Sequence, residues 1–436
     1  MRTPGLVSGW TAMLALLLAA ASPAALAQSA AQDSGNGNGG GAAAEAEQDG
    51  VKQAVTEELY QSALQSISEG RKNDASKTLA RVIEREPLHA GAWLDLAMIQ
   101  CGLGRADEAE RLFAAVETRF NPSHELLEVI ANERERGCHN WQAASSTSLA
   151  LGRGSDRNVN QGASNPYYSI EVGGIPGTAL LLPDFLPKKD DYSLLSGEYT
   201  RELTPNGLMG FAQFQARNND TLSEYDTASL FAGIEAPYRY GNWTLRTTAM
   251  LGLVTLGGSL YQRQVQLQAR VGPPLPLPNS TQFNLMGGVT HTDYLRLVNF
   301  NSNTYEVRGQ LSHRKDALYA STSVGLQYDH AQGLRPGGSR QGWFVNGVAR
   351  RALPAGLIGE LNYTRQSWES EQVYSAEIIN QVRDQVTHVL RGALIYPLGK
   401  NHSLQLEARL LRNRENISLF QYNNRQFQLS WQWQQP

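Results

Sequence analysis

The 436 residues exceed one ordinary domain, and a net charge of -3 is too near neutral to argue for a nucleic-acid partner. Beyond the first segment no stretch approaches the roughly 20 consecutive apolar residues of a spanning helix, so any membrane crossing has to be made by strands closed into a barrel.

At the N-terminus Arg2 precedes an apolar run from Met13 to Ala21 and the small-residue stretch Ser22-Pro-Ala-Ala-Leu-Ala27. This order of basic, apolar and small residues reads as a secretory signal peptide over 1–27, with the mature chain starting at Gln28. The residue directly after the cleavage point is Gln28 rather than Cys, so no lipid anchor is expected. Residues 28–50 are rich in Gly, Ala, Asn and Gln and read as a disordered linker, because they offer too little apolar surface to offset the entropy of ordering.

A helical period then runs over 51–138, with Leu59, Ala63 and Ile67 on one stripe and Leu79, Val82 and Ile83 on the next. Gly70, Ala75, Leu79 and Glu86-Pro87 recur as Gly104, Ala109, Phe113 and Asn121-Pro122, an offset of about 34 residues that matches the tetratricopeptide period. Trp93, Leu96 and Leu112 are the expected packing residues of this repeat. Stacked helix pairs form a concave surface suited to an extended peptide or a partner protein, although a rigid spacer or plug satisfies the same pattern. Cys101 and Cys138 are the two cysteines, and they read equally as a disulfide formed in an oxidising periplasm or as two thiols.

From 141 to 436 the period becomes two. Ser403-Leu-Gln-Leu-Glu-Ala-Arg-Leu410 places Leu404, Leu406, Ala408 and Leu410 on one face and Gln405, Glu407 and Arg409 on the other. Fourteen such segments are expected, at 143–153, 191–202, 207–217, 224–236, 242–254, 258–271, 280–291, 299–313, 317–329, 341–352, 356–367, 384–396, 401–413 and 421–433. Their length suits tilted transmembrane strands better than the strands of a soluble sheet, and an even count closes a single-chain barrel with both ends on one side. The connections alternate between tight turns carrying Pro or Gly, such as Thr204-Pro-Asn-Gly207, and longer loops at 154–190, 330–340 and 368–383. In outer-membrane barrels the short turns face the periplasm, which places the helical domain there as well. The expected fold is therefore α+β and multidomain: a periplasmic tetratricopeptide-like helical domain followed by a 14-stranded antiparallel transmembrane barrel.

Charges on the polar strand faces, among them Arg246, Arg270, Glu360, Arg391 and Glu407, are expected to face the lumen, since an Arg facing mid-membrane lipid costs roughly 2–4 kcal/mol. Aromatic residues near strand ends, including Trp243, Tyr261, Trp343, Tyr363, Trp368, Tyr396, Trp431 and Trp433, are candidates for interfacial girdles. His124-Glu125-Leu-Leu-Glu128 carries only half of a zinc-protease pattern, and neither a phosphate-cradling loop nor a nucleophile elbow occurs. No catalytic role, metal or cofactor is expected, and His291, His313 and His388 read as solvated rim residues.

The most specific string is Gly152-Arg-Gly-Ser-Asp156-Arg-Asn158-Val-Asn160, at the end of the first barrel strand. By residue type alone it is a rigid turn launching a long loop. A helical-repeat domain, a junction tryptophan at Trp141, a first strand ending in Asp156, Asn158, Val159 and Asn160, and a fourteen-stranded barrel together resemble the surface lipoprotein assembly modulators, or Slam proteins. Arg157 departs from the family string, where a small residue such as Ser is expected. The resemblance implies an outer-membrane translocon, not an enzyme, that delivers surface lipoproteins or small soluble haem-binding-type proteins from the periplasm to the cell surface. It also implies periplasmic chaperones, the barrel-insertion machinery and outer-membrane lipids as partners, with Asp156, Asn158, Val159 and Asn160 shaping the first external loop. The alternative architecture is a polysaccharide-exporting porin, which also joins helical repeats to a barrel.

Overall fold

The computed structural model describes residues 42–435 apart from 121, 139–142, 173–174, 241, 279 and 316, so the signal peptide, most of the linker and Trp141 lie outside the described residues. Five helices come first: α1 (Ala42–Ser68), α2 (Lys72–Arg85), α3 (Ala90–Gly102), α4 (Ala106–Arg119) and α5 (His124–Arg136). α1 begins inside the segment expected to be linker. The reason is local, since Ala42-Ala-Ala-Glu-Ala-Glu is built from strong helix formers, unlike the Gly- and Asn-rich stretch before it. Leu59 onward forms one compact unit, which holds both the repeats and the barrel.

The repeat is visible residue by residue. Gly70 and Gly104 both take φ of +76°, the left-handed turn that ends one helix and launches the next. Ala75 and Ala109 are fully buried at the matching close approaches, and Leu79 and Phe113 fill the matching core positions, also fully buried. α2 stops at Arg85 because Glu86 precedes Pro87 and is pushed to an extended conformation, φ −133° and ψ 84°. Leu96 and Leu112 lie in the same core. Trp93 packs at its edge, its indole N–H donating to the Pro87 carbonyl at 3.0 Å while the Arg119 guanidinium sits 5.1 Å over its ring.

Cys101 and Cys138 are joined in a disulfide that spans 37 residues and ties the end of α3 to the segment after α5. Replacing both with Ser is expected to destabilise the helical domain by about 2–4 kcal/mol, read as a lower melting temperature of the helical circular-dichroism signal in the full-length protein. An unchanged melting temperature would show that packing alone holds the two segments together.

On α3 the Asp95 carboxylate accepts a hydrogen bond from the Tyr60 hydroxyl at 2.7 Å. Burial nonetheless pushes its pKa up, with the Tyr60 bond and His89 only partly opposing the shift. A carboxyl raised in the folded state favours folding at acid pH, and that contribution is lost as pH rises through the folded value. Melting curves across that window are expected to show this slope in the wild type and to lose it in Asp95→Asn.

Fourteen strands close into one antiparallel barrel: β1 (Ser145–Asp156), β4 (Asp190–Glu202), β5 (Met209–Asn219), β6 (Thr227–Tyr240), β7 (Trp243–Leu256), β8 (Ser259–Gly272), β9 (Thr281–Tyr294), β10 (Ser302–Lys315), β11 (Leu318–Ala331), β12 (Arg340–Ala352), β13 (Ile358–Ser375), β14 (Ile379–Pro397), β15 (His402–Glu415) and β16 (Tyr422–Gln435). Each expected segment corresponds to one of these strands, and β16 returns to pair with β1 and close the sheet. The apolar members of each alternation point outward, as with Leu251 at 62% exposed and Leu326 at 68%, so the sheet is apolar on its outside. That is inverted relative to a soluble sandwich and suits a barrel surrounded by lipid.

Inward faces carry mixed charge. Arg391 pairs with Glu360 and, at 2.8 Å, with Glu407; Arg246 pairs with Glu235 at 2.8 Å; and Gln327 donates to Glu306 at 2.7 Å.

Two regions expected to be loops contain strands. Within 154–190, β2 (Tyr167–Val172) pairs with β3 (Ile175–Leu180) in a hairpin of its own. Within 368–383, β13 and β14 continue outward as a hairpin that is mostly exposed, with Tyr374 and Ile379 packed on Ile417 and Phe420, and so lacks the outward apolar alternation that marks the other strands. Two candidate girdle residues also point elsewhere. Trp368 is buried on the inward face beneath Arg340, whose guanidinium lies 4.5 Å over the ring, and Tyr261 is buried beside the irregularity where β7 and β8 shift register.

The helical repeats are fastened to the barrel at the β4–β5 turn. Arg71 and Asn206 form a backbone bridge, the Lys72 N–H donates to the Pro205 carbonyl at 3.1 Å, and Arg239 donates to the Ser62 carbonyl at 3.2 Å. The Arg71 side chain is itself buried and held by Glu69, Asp74 and Ser66. This attachment lies at the barrel end that carries the tight turns.

Candidate functional site

β1 ends at the opposite mouth, and there the string singled out in the sequence becomes a buried knot. Asp156 is 1% exposed, Asn158 1%, Val159 4% and Asn160 9%. Asp156 points inward, in step with Gly152 and Gly154 and opposite to the outward Leu149 and Leu151. One of its carboxylate oxygens accepts the Asn158 N–H at 2.9 Å. The other accepts from Arg217 at 2.7 Å and from Gln426 at 2.7 Å, linking β5 and β16 through the end of β1. The Arg217 guanidinium in turn lies 3.9 Å over the ring of Tyr192 on β4.

Gly154 explains how that ring fits. An added Cβ there would overlap the Tyr192 ring and the Phe427 carbonyl, so only glycine lets the phenol cross β1 to donate to Gln428 at 3.1 Å.

The two asparagines fold the following loop onto this wall. The Asn158 amide donates to the carbonyls of Gly162 and Asn423, both at 3.0 Å, while its oxygen accepts the Gly162 N–H at 2.7 Å. Asn160 donates to the carbonyls of Leu186 at 2.8 Å and Asp184 at 3.1 Å, and accepts from the Lys188 N–H at 2.9 Å. Val159 is pinned by its backbone to Lys188, and Gly162 packs so closely on Leu186 that a side chain would collide with it. The start and end of loop 157–189 are thereby stapled together, while Ser164 and Tyr167 bond to Asn423 and Ser418 across the mouth. Arg157, the departure from the family string, is exposed and contributes a backbone bond to Arg425, so its side chain meets no packing demand.

Two further ion clusters occupy the same mouth. Asp329, 1% exposed, accepts from Arg335 and Arg340, each at 2.8 Å. Glu415 accepts from Arg383 at 2.6 and 2.7 Å, with Arg383 lying 4.4 Å over Phe420. The sequence did not distinguish these residues from other polar strand positions. Their one available signal is position, at the outer ends of β11, β14 and β15.

Other candidates stay apart. His291 contacts Asn303 and Asp293 near the outer end of β9, His313 contacts Thr281 near the opposite end of β10, and His388 contacts Tyr363 on the outside of the barrel. His124, Glu125 and Glu128 are exposed on α5.

The tetratricopeptide repeat family matches residues 66–131, the span of the helical repeat. Comparison with curated proteins gives no match. Among solved structures the chain is similar to a loop-deletion mutant of the outer membrane protein OmpT of Vibrio cholerae, at 6% identity and a TM-score of 0.37, covering 67% of this chain and 99% of that one. It is also similar to OccAB3 of Acinetobacter baumannii, at 9% identity and a TM-score of 0.35, covering 67% and 99%. An anion-selective porin from Comamonas acidovorans, at 10% identity and a TM-score of 0.35, covers 67% and 99%.

Proposed function

We propose that the chain is an outer-membrane translocon of the kind that the Slam resemblance implies, passing a protein substrate, a surface lipoprotein or a small soluble protein, from periplasm to cell surface. The observation that carries this reading is the attachment of a protein-binding type of helical repeat directly to the tight-turn end of the barrel through Arg71, Lys72 and Arg239. A substrate held by the repeats is then presented at the mouth of the lumen. At the far mouth, the stapled loop 157–189 shapes the exit. Mixed charge on the inward faces favours this reading over a polysaccharide porin with a one-signed lumen. With no nucleotide-binding motif in the sequence, direction comes from substrate folding or lipid insertion outside. In this reading residues 1–27 are removed as a signal peptide and the helices lie in the periplasm.

The test is protease shaving of intact cells with and without the gene, following the proteins encoded beside it that carry export signals. Loss of one of them from the surface, restored by the wild-type gene, supports the proposal. Unchanged display of all of them overturns it.

A further inference from the structure

The outside of the barrel carries a feature that passage through the lumen does not use. On three neighbouring strands the outward positions run from apolar to arginine or histidine in step: Leu361, Tyr363 and Arg365 on β13; Leu394, Leu390 and His388 on β14; Leu406, Leu410, Arg412 and Arg414 on β15. Arg365, Arg412 and Arg414 are exposed on this face, and among the described residues none of the three meets a carboxylate, whereas Arg383 and Arg391 on the inward faces of β14 are both ion-paired. The Arg365 guanidinium lies 5.1 Å over the outward Trp343, an aromatic at the level where headgroups begin. The outward acids Glu369 and Asp384 lie opposite each other farther out on the β13–β14 hairpin.

Below the arginines the same face is hollow. Gly392 and Gly359 on the outward side, with Ala349 and Ala408 beside them, open a groove of about 540 Å³ walled by Leu361, Leu394 and Leu406, which continues to Leu353 and Arg351 at the tight-turn end. A Cβ added at Gly392 would meet nothing within 4 Å. Ala408 is four residues from Arg412 along β15, about 13 Å at ~3.3 Å per residue, which is within reach of a lipid tail.

We propose that this face holds one phosphorylated acyl lipid of the outer leaflet, its phosphate on Arg365, Arg412 and Arg414 and one acyl chain running into the Gly392 groove. Guanidinium groups without carboxylate partners, at the edge of an apolar band, call for an anion, and phosphate matches their fork geometry. The groove beneath calls for a hydrocarbon chain attached to that anion, which an acidic peptide does not supply. The assignment to the outer leaflet rests on the proposed orientation of the barrel. It is independent of what passes through the lumen.

The test uses the full-length protein, purified in mild detergent, stripped of lipid and titrated with lipid A or phosphatidylglycerol, bound lipid being read by native mass spectrometry. Folding of each variant is checked by its resistance to unfolding in SDS before boiling. Wild type and Arg263→Gln, an outward arginine on β8, are expected to retain lipid A. The triple variant Arg365→Gln, Arg412→Gln and Arg414→Gln is expected to lose about a hundredfold in affinity. Gly392→Leu, whose Cβ meets nothing within 4 Å and whose side chain projects on the groove side, is expected to weaken binding several-fold. Equal retention by the folded triple variant overturns the proposal, as does displacement by inorganic phosphate as effective as by lipid A. Preference for phosphatidylglycerol over lipid A overturns the outer-leaflet assignment. Because substrate display is not measured, failure here leaves the translocon reading to its own test.

Discussion

Asp156→Ala is expected to release the loop at 157–189 from the barrel mouth. The substitution removes three hydrogen bonds and leaves the Arg217 guanidinium, 17% exposed, without its carboxylate. Breaking a buried pair by deleting one partner costs about 3–5 kcal/mol, and here the cost falls on the loop rather than on a barrel held by continuous ladders on both sides of β1. The readout is trypsin cleavage on intact cells. Lys188 is backbone-bonded to both Val159 and Asn160 in the closed loop, so cleavage after Lys188 and Lys189 is expected to be slow in wild type and fast in Asp156→Ala. The barrel is expected to keep its SDS resistance. Equal cleavage rates would show that the asparagine staple holds the loop without Asp156, and Asn158→Ala in the same background would then be the decisive variant.

Phe113→Ala is expected to unfold the helical domain while sparing the barrel. Phe113 is fully buried in the one core that joins α2, α3 and α4, at the position that Leu79 fills in the preceding repeat. Truncating a buried phenylalanine costs about 3–5 kcal/mol, which is most of the stability of a unit this small. Circular dichroism of the full-length protein is expected to lose its helical melting transition while the β-sheet signal persists. If the repeats present substrate to the barrel, the same variant abolishes surface display with the barrel still inserted. Preserved display despite melted helices would make the repeats a spacer.

The barrel was legible because each spanning strand has one apolar side, and a period of two survives in the sequence wherever the two sides face different solvents. The β2–β3 hairpin and the outer parts of β13 and β14 have no such asymmetry. Their residues alternate without an apolar face, so they read as loop. Tyr261 and Trp368 read as girdle aromatics from their place near strand ends, whereas the register shift beside Tyr261 breaks its parity and Trp368, five residues from outward Tyr363, falls on the inward face. The string at Asp156–Asn160 was legible as a turn and, through its resemblance, as a loop-shaping motif. Its partners were not, because Arg217 and Gln426 stand 61 and 270 positions away and meet Asp156 only when the sheet closes. The repeat periodicity was plain from Gly70 and Gly104, whereas the residues that fasten the helices to the β4–β5 turn look like ordinary surface charge.

The β13–β14 hairpin has a practical consequence. These strands run 18 and 19 residues against 11 to 14 for the rest of the barrel, and Ala376, Glu377 and Ile378 are exposed at the tip, far from the Asp156 knot in sequence. In the proposed orientation, an antibody epitope spliced in at Glu377 is expected to be reachable from outside the cell, turning the hairpin into a flag by which living cells can be counted and sorted for correctly inserted protein.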